Sequence, residues 1–279
     1  MIVLGLISAV TWGSGDFGGG LLSRRAPLFS VVGVTQFVGI FAALVIAILL
    51  GEPFPTFPDI AWAVGAGIGG MIGITCLYRG LAVGRMGVVA PTAGVLGATI
   101  PVVFGFLVEG VPTPMTIAGI VAALVAVVLV TRAPGHGTDR PSGVRWALAA
   151  GVAIGAFNIC IGQFSGDSAF GLLVFIRLLQ VAVISVLIAL WRQPWRMPVD
   201  MLPKLILIGV LDMAGNATFI LATQAGALAI ATVLASLYPV VTVILAIVIL
   251  REHLTRSHVA GIVLTAAAIV LIAAGVTAA

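Results

Sequence analysis

Runs of apolar residues about twenty long, the length an α-helix needs to cross a hydrocarbon core of roughly 30 Å, recur ten times along this chain. They fall near Ile2–Leu22, Leu28–Leu50, Ile60–Ala82, Met86–Val108, Met115–Thr131, Val144–Gly162, Phe170–Trp191, Lys204–Gln224, Ala227–Leu250 and His258–Val276. With 61% hydrophobic and only 8% charged residues, a soluble fold is excluded and an all-α integral membrane protein of ten transmembrane helices is expected. The 35 glycines and 14 prolines agree with helices that pack closely and break locally within a bilayer. "MIVLGLISAV" lacks a basic n-region and a following cleavage site, so it reads as the first span.

The longest polar stretch, "TRAPGHGTDRPSGVR" from Thr131 to Arg145, divides the chain into a first five-helix unit (1–131), a linker (132–143) and a second five-helix unit (144–279). "LAVGRMGVVA" at Leu81 aligns with "QAGALAIATV" at Gln224, which brings Glu109 onto Glu252. "TIAGIVAALVAVVLV" at Thr116 aligns with "HVAGIVLTAAAIVLI" at His258. The order and spacing of these matches point to a duplication. Because five is odd, equivalent helices of the two units cross in opposite directions. That is the inverted five-plus-five repeat of many secondary transporters, whose site lies near the midplane between the repeats.

The basic residues set an orientation. Of 13 Lys and Arg, all but Arg177 lie in the odd-numbered connections or the adjoining helix ends, and the even connections hold none. By the positive-inside rule the odd loops are cytoplasmic and both termini face outside. A bacterial-type inner membrane is the default location. The sequence pI of about 9.8 therefore reports topology; the basic residues form no stripe with interleaved aromatics, so no nucleic-acid partner is expected. Cys76 and Cys160 sit singly in apolar runs and the three histidines lie in loops, so no metal and no cofactor is expected.

A charge at the centre of a bilayer helix costs about 2.5 to 3.5 kcal/mol on insertion scales, so intramembrane charges face a bundle interior or a wet cavity. Asp16, Arg177 and Asp212 are the three here. Asp16 shares a helix face with Trp12, Gly19 and Gly20, and "IGAFNICIG" of the sixth span aligns Gly155 with Gly13 and Asn158 with Asp16. Asp212 and Asn216 are four apart on one face of the eighth span; Arg177 and Gln180 share a face of the seventh, at a depth similar to Gln36 in the second. Arg177 has three open readings: a substrate contact, a structural partner of an aspartate, or a cation snorkelling toward Asp167. Trp12, Phe17, Tyr78, Phe157, Phe219 and Tyr238 lie near these depths, where they either pack or wall a site. Pro91, Pro101 and Pro239 fall within spans four and nine, where a missing N–H kinks a helix and makes a candidate hinge. Glu109 and Glu252, at the ends of the same spans, read as caps or loop partners.

"GSGD" at Gly13–Asp16 matches the GxGD pattern of presenilin-like intramembrane aspartyl proteases, with Asp212 as the second carboxylate such chemistry needs. That family resembles a different layout, with a Tyr-Asp helix before the GxGD helix and a Pro-Ala-Leu motif after it. Here Leu211 precedes Asp212, the order is reversed and Thr92-Ala93 follow Pro91, so proteolysis is a remote alternative and no enzyme is expected. An ATP-binding loop is absent from the sequence too.

"TWGSGDF" in the first span looks like the W-G-S start of the ten-helix EamA-type members of the drug/metabolite transporter superfamily. "ASLYPVVTVILAIVILREHLTRSHVAGIVLTAAAIVLIAAG" is similar to that family's ninth and tenth helices, with Pro239, Glu252 and Gly261 in the usual order. The resemblance covers nearly the whole chain, and within the family it leans toward YddG-type amino-acid exporters. It implies a secondary transporter that exports amino acids or related small metabolites by alternating access, with efflux of cationic drugs or another metabolite class as the alternative. The candidate substrate-binding set is Trp12, Asp16, Gln36, Tyr78, Asn158, Arg177, Asp212, Asn216 and Tyr238, with a proton as candidate coupling ion. Asp16, in the later part of its span toward Arg24 and Arg25, suits an entrance as well as a centre.

Overall fold

In lipid every backbone N–H and C=O must be satisfied within its own segment, which leaves the apolar runs one solution, the helix. The computed structural model describes residues 2–109, 113–132, 143–164, 168–224, 234–235, 237–252 and 256–277. Its regular structure is helical throughout these residues: α1 (Ile2–Leu22), α2 (Leu28–Leu50), α3 (Phe57–Val83), α4 (Met86–Glu109), α5 (Pro114–Arg132), α6 (Val144–Ile161), α7 (Ala169–Leu190), α8 (Leu202–Gln224), α9 (Tyr238–Leu250) and α10 (Arg256–Thr277). Among them α2, α3, α6, α7 and α8 with its preceding 3₁₀ turn are each long and apolar enough to cross a membrane, and α4, α5, α9 and α10 carry shorter apolar stretches. Val10, Phe37, Phe41, Ile68, Val121 and Val210 project outward from five different helices, an apolar exterior that fits lipid and not water.

Starts and stops follow local chemistry. Thr56 caps α3, accepting from the Asp59 N–H at 3.4 Å, with Pro58 in the first turn, so the helix begins earlier than its apolar run. α2 and α9 each end on a left-handed residue, Gly51 at φ 64° and Arg251 at φ 53°. In both cases the next residue is a glutamate that closes the N-terminus of a helix from the other unit. Glu52 accepts from the N–H groups of Phe170 and Gly171 (3.2 and 2.8 Å) at α7, and Glu252 from Met86 and Gly87 (both 3.2 Å) at α4.

The expected ninth span began at Ala227. The helix described there begins at Tyr238, and residues 225–233 lie outside the described residues, as do 133–142 of the linker, Asp167 and His253. Pro239 consequently sits in the first turn of α9, where its absent N–H costs no helical hydrogen bond, and not in a helix interior. Pro91 and Pro101 do lie inside α4.

Helices pack chiefly as α5 with α10, α3 with α6, α1 with α8, α4 with α6, α1 with α9, α2 with α7, α2 with α8 and α3 with α7. Two apolar clusters share α2, α7 and α8. One contains Val32, Tyr78, Ile184 and Ile208, and the other Ala43, Leu173, Ile176 and Met213. Gln36, Arg177 and Asp212 fall between the two clusters on their respective helices, so a polar layer separates two greasy ones.

Candidate substrate site

Arg177 is the centre of that layer. It is 7% exposed, and its guanidinium donates through Nη1 to Gln36 Oε1 on α2 and through Nη2 to Asp212 Oδ2 on α8, the latter an ion pair. Gly39, one turn beyond Gln36, makes the approach feasible. A Cβ there would come within 2.6 Å of Arg177 Cδ and 2.7 Å of Nε, so any larger residue would push the arginine out of its place. Burying a charge requires an opposite charge and hydrogen bonds together, and α2 and α8 supply both. Arg177 thus turns inward to Asp212 instead of outward. Gln180, one turn along α7, is buried and reaches the Gly67 carbonyl at 3.4 Å.

Asp16 is arranged differently. At about 3.6 residues per turn it lies opposite the outward stripe of Val3, Ile7 and Val10, and its neighbours Gly15, Phe17, Gly19 and Gly20 are buried. Asp16 is nevertheless partly exposed, so it opens onto space inside the bundle. Its carboxylate forms no hydrogen bond or ion pair with a described residue. Asp212 is partly exposed as well: its side chain keeps 31% exposure against 8% for Arg177.

Small residues bring aromatics to this point. Trp12 lies across Gly215 of α8, Tyr78 of α3 lies across Gly19, and Gly13 receives the backbone of Tyr238. Trp12 meets Phe219 at 5.6 Å between centroids and Tyr238 edge-on at 6.3 Å. Ser8 Oγ donates to the Gly215 carbonyl (2.9 Å) and Thr242 Oγ1 to the Gly13 carbonyl (3.0 Å), which holds α1 between α8 and α9.

Two residues of the expected set make hydrogen bonds to the backbone. Asn158 Nδ2 donates to the Gly97 carbonyl of α4 at 3.1 Å. Pro101, four residues on, has no N–H to give that carbonyl, so the asparagine of α6 fills the gap left by the proline. Asn216 Nδ2 donates to the Asp212 carbonyl at 2.8 Å on its own helix. The structure therefore brings together Trp12, Asp16, Gln36, Tyr78, Arg177, Asp212 and Tyr238, ties Asn216 to the backbone of its own helix, and sets Asn158 of α6 against α4. Sequence reading did not single out Glu52, whose only signal was a lone acid in "GEP" after a long apolar run, nor Gly39, one of many glycines.

The family model for "EamA-like transporter family" matches residues 1–132 and again residues 141–274. The chain belongs to the EamA-like transporter family. Its two matches cover nearly all of this EamA-like protein, one on each side of the polar linker. A solved crystal structure at 17% identity superposes with a TM-score of 0.63 over 96% of this chain and 94% of its own, which shows a shared fold. No curated protein matches the chain. Membership makes this EamA-like chain a membrane transporter of small molecules.

Proposed function

We propose that the protein is a secondary carrier that exports a small amine-bearing metabolite by alternating access, through ten crossings built as an inverted five-plus-five repeat. Residues 1–131 and 144–279 are the two halves, and 132–143 joins them. Adding five to each helix number of one half exchanges α3–α6 with α8–α1, α4–α6 with α9–α1, and α2–α8 with α7–α3, and returns α5–α10 and α2–α7 to themselves. A pseudo-two-fold relation accounts for that pattern. The charge distribution supports odd loops on the cytoplasmic side of a bacterial-type inner membrane and both termini outside.

The observation that carries the reading is the partly exposed Asp16 carboxylate, without a bonded partner among the described residues, on the inward face of α1 beside the Asp212–Arg177–Gln36 group. Among the described residues, two aspartates against one arginine leave the middle of these spans one negative charge in excess. Such a charge in a low-dielectric bundle is neutralised by a proton or by the ammonium of a substrate, and alternation between the two couples export to a proton gradient. Trp12, Tyr78 and Tyr238 form the wall. Pro91 and Pro101 in α4 and Pro239 at the head of α9 are the hinges, and the Asn158 contact with Gly97 limits how far α4 bends. Amino acids, the class the resemblance implies, and organic amines both bring an ammonium to Asp16.

Reconstitution into proteoliposomes tests the reading. Labelled amino acids, quaternary amines and sugar phosphates are offered with and without a proton gradient. Saturable flux of an amine-bearing compound that responds to the gradient is expected; no saturable flux for any compound overturns the carrier assignment.

A further inference from the structure

Arg177 is the one cation in the middle of a described span, and its bonding decides which ligands the interior accepts. Nη1 and Nη2 are engaged by Gln36 and Asp212; Nε has no hydrogen-bond partner but is buried, with Cδ and Nε filling the space a Cβ on Gly39 would take, and the side chain is 8% exposed. A substrate carboxylate would reach this guanidinium only by displacing Asp212 into a buried site, a change that leaves a second charge uncompensated. Short of that, it would lie against the Asp212 carboxylate that already holds Arg177. Of the other cations near these helices, Arg79 follows Tyr78 directly but is exposed. Among the described residues an anionic group thus meets no accessible counter-ion here.

A cation finds the opposite. Asp16 is open, Trp12 stands one turn before it and the Tyr78 ring one turn after it against Gly19. Tyr238 closes the side by its edge contact with Trp12. Cations within about 6 Å of Trp or Tyr faces are attracted by the ring quadrupole, most strongly once water is removed. A carboxylate with an aromatic wall is the donor set for an ammonium or a quaternary nitrogen.

We propose that the interior selects organic monocations that carry no carboxylate, seated on Asp16 against Trp12, Tyr78 and Tyr238, with Arg177 serving as the fixed counter-ion of Asp212. This narrows the substrate class and rests on the carrier reading above.

The test uses pairs of like shape in which one member lacks the carboxylate. Choline is set against glycine betaine, and phenyltrimethylammonium against phenylalanine, with a sugar phosphate as a third class, all in proteoliposomes. Flux of each cation at least tenfold above its zwitterionic counterpart is expected. Equal flux, or flux favouring the zwitterions, overturns the proposal. Flux of the sugar phosphate with none of the cations overturns it and leaves the carrier reading standing, whereas no flux of anything overturns both. Asp16→Asn should lower cation flux at least tenfold and Asp16→Glu should recover most of it, both variants being monodisperse in detergent. Unchanged cation flux in Asp16→Asn also overturns the proposal.

Discussion

α1 and α6 are placed at equivalent positions by the sequence alignment, and both are packed by glycines, yet their polar residues do different work. Gly13 of α1 lies against Tyr238 and Val241 of α9, and Gly155 of α6 lies against Ile100 of α4. Three residues on, Asn158 is bonded to the α4 backbone, while Asp16 has no bonded partner among the described residues. The partner helix explains the difference. α4 carries Pro101, which strips the Gly97 carbonyl of its helical donor. α9 has no proline after Pro239 in its first turn, so its interior carbonyls are satisfied and α1 has no gap to fill. The contact there runs the other way, from Thr242 of α9 to the Gly13 carbonyl. One half of the molecule uses its polar position to mend a helix, and the other leaves it without a bonded partner among the described residues.

That contrast can be broken at several points. Arg177→Leu, which strands Asp212 in the layer beside Asp16, should cost about 3 to 5 kcal/mol, read as a lowered melting temperature in detergent. Combining it with Asp212→Leu should recover most of the loss, and no recovery would mean that the two residues do not act as a pair. Asp16→Asn should leave the melting temperature unchanged or raised, because it removes an uncompensated charge, while transport falls about 10- to 100-fold. A fall in stability with transport intact would make Asp16 as structural as Asn158. Asn158→Leu should destabilise by about 1 to 3 kcal/mol by orphaning the Gly97 carbonyl, and Pro101→Ala, which restores a backbone donor, should suppress that loss in a double-mutant cycle. Additive losses would disprove the mending role. Glu252→Gln, which weakens the cap on α4, should lower stability by about 0.3 to 1 kcal/mol; a change several times larger would show that the contact couples α9 to α4 beyond its local electrostatics.

The helices were legible because apolar length is a local property that the bilayer enforces. The end of α2 matched, where a left-handed stop at Gly51 follows the apolar run, whereas α3 starts three residues before its run because Thr56 caps it. In the ninth span the apolar composition continues across Leu237, where the structure has a turn between the helical residues 234–235 and α9; the start expected at Ala227 lies outside the described residues. The intramembrane charges were also legible, since Asp16, Arg177 and Asp212 stand out against their surroundings. Their pairing was not. Arg177 had an aspartate for a partner in one of its three sequence readings, and nothing in the spacing of positions 16, 177 and 212 told Asp212 from Asp16.

The chain alone determined a membrane class, the number and order of its apolar runs, the doubling of its halves and the charges that lipid makes costly, because each depends on composition or local periodicity. Tertiary structure decided which aspartate the arginine neutralises, which carboxylate stays open and why Asn158 serves a proline. Those outcomes depend on which helix faces meet and on how closely glycines such as Gly39, Gly19 and Gly215 let them approach. That is a matter of contacts between residues far apart in sequence, for which the order of residues along a single helix carries no signal.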